Sequence, residues 1–146
     1  MKHTINAVFA CMCLFISVGL SAAPAMPLSQ IEILKVASSS GAVENVSDGR
    51  EQTKEHHGGP NIKVFVLERG YGGQPTVTFD GQTVDGKRTP VCNKGEGLVT
   101  CDGAGTTVGY LYTFDLGNKE GGWFQFSNTS LVAPFTRLTA QLYIQK

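Results

Sequence analysis

Apolar and polar residues alternate in several short stretches after residue 30, and turn residues separate these stretches. A period of two is typical of β-strands that bury one face, and Asp-Gly or glycine-rich segments are typical of the turns between them. The pattern predicts seven or eight strands, among them residues 31–36, 62–68, 76–79, 106–116 and 138–145. It predicts a turn at residues 85–88 and a long polar loop at residues 37–60.

The strand pattern determines the expected fold class, because no amphipathic helix is evident after residue 26. An all-β fold with many short strands and turns forms a sandwich or a barrel. We expect a single antiparallel β-sandwich. An immunoglobulin-like topology is one arrangement that fits the pattern, and a small β-barrel is the alternative.

The first 25 residues have the three parts of an export signal. A basic start at Lys2 precedes an apolar run over residues 7–20, and Ala23 and Ala25 form an A-x-A cleavage site. The run is shorter than the roughly 20 residues that a membrane-spanning helix needs. We therefore predict a signal peptide at residues 1–25, one β-rich domain at residues 26–146, and a secreted or periplasmic location.

Export affects the interpretation of the cysteines. Cleavage would leave Cys92 and Cys101 as a pair in an oxidising compartment, where a disulfide is expected. Closing this loop of ten residues would stabilise the fold by about 2.5–3 kcal/mol in the loop-entropy model.

Charge excludes some partners. The chain has 12 basic and 12 acidic residues, so it has no electrostatic footprint for nucleic acid. We expect a protein or glycan partner, no nucleic acid, no membrane span after cleavage of the signal, and no cofactor.

The polar stretch contains the only histidines expected in the mature chain, His56 and His57. Imidazole binds zinc, copper and nickel, so both are weak candidates for a metal site. Neighbouring side chains on an extended chain point to opposite faces, and further ligands are missing, which favours solvated histidines. A small extracellular hydrolase or metal-binding protein that uses His56 or His57 remains an alternative function.

No signature of catalysis stands out. The chain lacks a G-x-S-x-G elbow, and both mature cysteines are expected to be bonded, so no catalytic residue is assigned. Trp123 is expected in the core with Phe124 and Phe126, but an exposed Trp123 beside Tyr71 would favour a carbohydrate or protein contact.

Three motifs resemble the YolA-like family of small secreted bacterial proteins of unknown function. They are Pro27-Leu28-Ser29-Gln30-Ile31, His57-Gly58-Gly59 and Gly70-Tyr71-Gly72, within residues 27–80. The resemblance implies secretion and one β-rich domain, and it implies no activity or ligand. Because His57 and Tyr71 flank the same strand, they form one candidate site with Trp123. The leading hypothesis is a secreted, non-enzymatic binding module, and a secreted toxin or inhibitor is a further alternative.

Overall fold

The computed structural model describes residues 24–95, 97–103 and 105–146, and this part of the chain forms ten β-strands and no helix. The strands are β1 (Gln30–Ala37), β2 (Val43–Asn45), β3 (Lys63–Arg69), β4 (Thr76–Phe79), β5 (Gln82–Thr83), β6 (Gly86–Lys94), β7 (Gly97–Thr100), β8 (Thr107–Asp115), β9 (Gly122–Thr129) and β10 (Arg137–Ile144). Most of the predicted signal peptide, residues 1–23, lies outside the described residues. No helix that could span a membrane occurs in the described segments.

The strands form two antiparallel sheets that pack on each other. The larger sheet has the order β2-β1-β3-β8-β6-β7, and the smaller has the order β10-β9-β4-β5. The chain enters the smaller sheet after β3, returns with β6, and enters it again with β9. The expected β-sandwich is therefore confirmed. Its strand order differs from the ABED and CFG sheets of an immunoglobulin constant domain.

The core lies between the sheets and is rich in aromatic rings. Alternate positions of each central strand point inward, as the period of two requires. The ring centroids of Phe114 and Phe124 are 5.4 Å apart, and those of Tyr112 and Phe126 are 5.1 Å apart. Aliphatic residues fill the space around them, among them Val36, Ile62, Val64, Val66, Val77, Leu142 and Ile144.

One predicted turn is wrong. Residues 86–88 belong to β6, where Gly86 pairs with Phe114 and Arg88 pairs with Tyr112. A Cβ on Gly86 would lie 2.3 Å from Cε1 of Phe114, so this glycine makes room for a core ring. Glycine in a strand often marks such a close approach, and the sequence pattern cannot distinguish it from a turn glycine.

The polar stretch at residues 37–60 is only partly a loop. It contains β2, which pairs with β1, and a short bridge in which Gln52 lies parallel to Tyr143. Single buried residues such as Val46 hold it on the core. The predicted disulfide between Cys92 and Cys101 is present, and it links β6 to the residue that follows β7.

The core packing gives a first prediction. Phe124 is fully buried, whereas Gln125 is exposed on the opposite face of β9. Phe124→Ala should lower the free energy of unfolding by about 3–5 kcal/mol, because it removes a buried ring and leaves a cavity. Gln125→Ala is the control and should change it by less than about 0.5 kcal/mol. Urea denaturation of both variants measures the difference, and similar losses would contradict the assignment of the two faces.

Candidate functional site

The most exposed aromatic cluster lies on the outer face of the smaller sheet. Trp123 of β9 and Tyr143 of β10 occupy directly opposed positions. Their ring centroids are 5.3 Å apart and the rings are tilted by 60°. Trp123 is 47% exposed and Tyr143 is 36% exposed, so the two rings form a twisted apolar surface that contacts solvent. The expectation that Trp123 packs in the core with Phe124 and Phe126 is therefore wrong.

Uncharged polar side chains continue this face beyond the two rings. Gln141 pairs with Gln125, and Gln125 pairs with Thr78. In the next row along the strands, Thr139 and Thr76 are exposed, whereas Ser127 between them is buried and accepts a hydrogen bond from Arg137 at 2.7 Å. Amides and hydroxyls, which donate and accept hydrogen bonds without a charge, therefore cover the sheet beside the aromatic pair.

A cleft of about 610 Å³ opens beside the aromatic pair and is also lined by Glu51 and Gln52. The backbone of this segment is fixed to β10. The Tyr143 N–H donates to the Glu51 carbonyl at 2.8 Å, and the Thr53 N–H donates to the Tyr143 carbonyl at 2.9 Å. The segment thus extends the smaller sheet past its edge strand and forms one wall of the cleft.

A buried carboxylate holds that segment in place. Glu44 of β2 is 7% exposed and accepts hydrogen bonds from the backbone N–H groups of Lys54 and Glu55, at 2.8 Å and 2.9 Å. Arg50 donates to it at 2.5 Å. Burial acts to raise the pKa of Glu44, but the two N–H groups, His57 and Arg50 together lower it below its ordinary value. Glu44 is therefore a charged anchor at neutral pH.

His57 is part of this anchor and is fully buried. Its Nε2 lies 3.3 Å from Glu44, and its Nδ1 lies 3.3 Å from the Ser38 hydroxyl. Its backbone N–H donates to the Gln145 carbonyl at 2.8 Å. If Nε2–H donates to Glu44, Nδ1 is left as an acceptor for Ser38, which resembles a serine–histidine–carboxylate relay with the roles of the two ring nitrogens exchanged. Because His57 has no exposed surface, it does not contact a ligand in this conformation.

His56 faces away from His57 and is exposed, with its Nδ1 beside the carbonyl of Lys146. Across residues 24–146 apart from 96 and 104, no group of three His, Cys, Asp or Glu residues is placed to hold a metal ion. The structure therefore adds no ligand to the two weak metal candidates, His56 and His57.

Tyr71 lies at the other end of the sandwich. Its hydroxyl donates to the Thr107 carbonyl at 2.8 Å, and its ring meets the Tyr110 ring edge-on at 6.1 Å. The neighbouring turn contacts Asn128, five residues after Trp123 along β9. Five residues of a strand span about 17 Å. The three candidate residues do not converge, since Trp123 and the buried His57 are near one end and Tyr71 is at the other.

A second buried polar group lies beside Tyr71, and the sequence analysis missed it. Glu68 of β3 is fully buried and accepts a hydrogen bond from Nδ2 of Asn128 at 2.6 Å. Burial raises the pKa of Glu68. Gly72 packs over the pair, since a Cβ there would lie 2.3 Å from Nδ2 of Asn128. The hydroxyl of Tyr112 is buried close to Glu68 without a partner at hydrogen-bonding geometry among the described residues.

Residues 23–144 match the model of a domain of unknown function, DUF4879. The chain belongs to this family. Among curated proteins, none matches the chain. The DUF4879 match covers all ten strands, so the aromatic pair, the Glu44 anchor and the Tyr71 end are all parts of the family domain.

The Glu44 anchor predicts a pH-dependent stability of this DUF4879 domain. A carboxylate whose pKa is lowered by folding stabilises the fold above its unfolded pKa, here about 4.5, and the stabilisation is lost as the pH falls through the folded pKa. Glu44→Gln should lower the free energy of unfolding by about 1–3 kcal/mol at pH 7, because buried donors lose a charged acceptor.

The difference in the free energy of unfolding between the wild type and Glu44→Gln should become smaller below pH 4.5. Urea denaturation of both proteins across pH 3–7 measures this difference. Glu55→Gln is the matched control, because the Glu55 side chain is exposed and only its backbone contacts Glu44. If the difference in the free energy of unfolding does not change with pH, the charge of Glu44 does not have the proposed role in stability.

Proposed function

We propose that this protein is an exported, non-enzymatic binding module that holds a neutral glycan on the outer face of its smaller sheet. The observation that carries the proposal is the exposed pair of Trp123 and Tyr143 beside a row of uncharged amides and hydroxyls. An exposed tryptophan next to a tyrosine is costly in contact with water, and a ligand that covers both rings removes that cost.

A sugar ring fits the chemistry of this face. The C–H faces of a pyranose are apolar and stack on aromatic rings, while its hydroxyls exchange hydrogen bonds with side-chain amides and hydroxyls. Gln141, Gln125 and Thr78 supply such groups in the row next to the rings. A protein partner would be favoured by a broader apolar patch than one pair of rings.

Export is supported by three observations. The disulfide between Cys92 and Cys101 is a bond that oxidising compartments maintain. The chain starts with the tripartite pattern of a signal peptide over residues 1–25. The motifs at residues 27–31, 57–59 and 70–72 resemble the secreted YolA-like family, and membership of that family is part of this proposal. We infer a secreted or periplasmic location, where glycans of the cell wall or the surroundings are accessible.

Removal of either ring should weaken glycan binding. We expect the mature domain to be depleted from solution by at least one insoluble neutral polysaccharide among cellulose, chitin, xylan and mannan. Trp123→Ala and Tyr143→Ala should each weaken that binding about tenfold or more, because a stacked aromatic contributes about 1.4 kcal/mol or more.

Phe135→Ala is the control for these variants, since Phe135 is an aromatic outside the smaller sheet and is more exposed than either ring of the pair. It should bind as the wild type does. Binding that survives the loss of both rings, or no binding to any of the four polysaccharides, would refute the glycan proposal.

A specific observation also favours a second function, the small extracellular hydrolase. Ser38, His57 and Glu44 form a continuous chain of contacts in the order that nucleophilic serine chemistry requires. Two features oppose this function. His57 is fully buried, and the charge of Glu44 is already neutralised by Arg50 and by backbone donors.

A fluorophosphonate probe, which reacts with activated serines, distinguishes the two functions. We expect no labelling of the native protein, since a buried imidazole cannot pass a proton to a substrate. Labelling that is lost in Ser38→Ala but kept in Ser40→Ala would establish the hydrolase instead. Ser40 is a suitable control because its hydroxyl is 2.7 Å from that of Ser38.

A further inference from the structure

A second cleft opens at the end of the sandwich that contains Tyr71, far from the aromatic pair on the smaller sheet. It has a volume of about 520 Å³. The turn after β3, residues 71–75, forms one side of it, and Arg88, Tyr110 and Leu131 form the rest. The proposed glycan site does not use any of these residues, so this cleft requires its own explanation.

Arg88 is the distinctive group of the cleft. Its guanidinium lies over the face of the Tyr110 ring, with Cζ 3.3 Å from the ring centroid, and the residue is exposed. Within the described part of the chain, this guanidinium has no ion pair and no hydrogen bond. Stacking fixes the plane of the group and leaves the N–H groups at its edge free, which is the geometry that binds a carboxylate through two parallel hydrogen bonds.

The acidic residue nearest in the interior does not satisfy Arg88. Glu68 lies beyond salt-bridge distance and is already bonded to Asn128 at 2.6 Å and to the N–H of Gly72 at 3.4 Å. Burial raises the pKa of Glu68, and the charge of Arg88 acts to lower it, so the two groups interact electrostatically but without direct contact. Among the described residues, no carboxylate forms a direct ion pair with the guanidinium that lines this cleft.

Apolar side chains also line the cleft. Leu131 is 61% exposed there, and Pro75 is a second apolar lining residue. The N–H of Leu131 donates to the Tyr71 carbonyl at 3.1 Å, so the loop that carries Leu131 is fixed to the cleft. A fixed cation beside a fixed apolar wall is complementary to a ligand that has a carboxylate next to an aliphatic group.

We propose that this cleft binds the C-terminal carboxylate of a peptide whose last side chain is aliphatic. Arg88 pairs with the carboxylate, Leu131 and Pro75 contact the last side chain, and Tyr71 and Tyr110 form the rigid floor. An acidic sugar has the same carboxylate, but its hydroxyls would face Leu131 and Pro75, which offer no side-chain hydrogen bonds. The aliphatic wall therefore favours the peptide.

The experiment is an NMR titration of the mature domain with the peptide acetyl-Ala-Ala-Leu as the free acid. We expect saturable shifts at Tyr71, Tyr110 and Arg88. The same peptide as its C-terminal amide should bind about tenfold more weakly or worse, since it lacks the charge that Arg88 pairs with. Galacturonate trimer, which contains carboxylates on sugars, should shift these residues less than the peptide acid does.

Arg88→Lys tests the geometry, because lysine keeps the charge but loses the planar pair of hydrogen bonds. It should weaken binding of the peptide acid about tenfold. Arg69→Lys is the matched control, since Arg69 is an exposed arginine at the end of β3. It should bind as the wild type does, and so should Trp123→Ala.

Three outcomes would overturn the proposal. They are no saturable shift with the peptide acid, equal binding of the acid and the amide, and tighter binding of galacturonate trimer. If Arg88→Lys does not fold, Leu131→Ser provides a second test. Leu131 is exposed, so its replacement should leave the fold intact while it weakens binding of the peptide acid.

Discussion

The buried carboxylate of Glu44 fixes how the polar chain between β2 and β3 closes one edge of the sandwich. β10 is the edge strand of the smaller sheet, and an unpaired edge exposes backbone donors and acceptors. The segment around Gln52 pairs with that edge at Tyr143, and Glu44 holds the residues that follow through the N–H groups of Lys54 and Glu55. A charged acceptor with several donors is stable in the interior because each lone pair is used. The wall of the cleft beside Trp123 and Tyr143 therefore depends on the buried carboxylate of Glu44.

The interior between the sheets changes character from one end to the other. Aromatic and aliphatic side chains fill the middle, and Glu68 and Asn128 introduce polar groups at the Tyr71 end. A buried polar pair requires a cover that excludes water and leaves no donor unsatisfied. The backbone at Gly72 provides this cover, which no residue with a Cβ could do without displacing Asn128. The glycine-rich turn therefore shields the buried pair of Glu68 and Asn128 from solvent. The two proposed sites lie at opposite ends of the domain, and the interior next to each differs in polarity.

Local alternation was sufficient to predict most of the fold. β1, β4, β8 and β10 fall where the pattern places them, because each buries one face on a single core. The errors arose where a residue type has two physical uses. The pattern predicts a turn at Gly86, yet this glycine makes room for Phe114 within a strand. The pattern predicts a loop at residues 37–60, because pairing with a distant edge strand leaves no local periodicity. Order in that stretch comes from contacts such as that between Glu44 and Lys54, ten residues apart.

The sites could be predicted less well, although part of the signal was present. Phe124 and Phe126 share the inner face of β9, so alternation alone requires Trp123 to point outward. The same rule, applied to Leu142 and Ile144, puts Tyr143 on the outer face of β10. The outward positions of these strands are otherwise polar, so two aromatic residues there indicate a candidate ligand-binding site. What the sequence does not contain is the register that sets Tyr143 opposite Trp123, because register depends on the length and course of the intervening loop. Tyr71 is a candidate from the sequence because it and His57 flank the same strand, whereas its link to Arg88 through Tyr110 follows only from the pairing of β6 with β8.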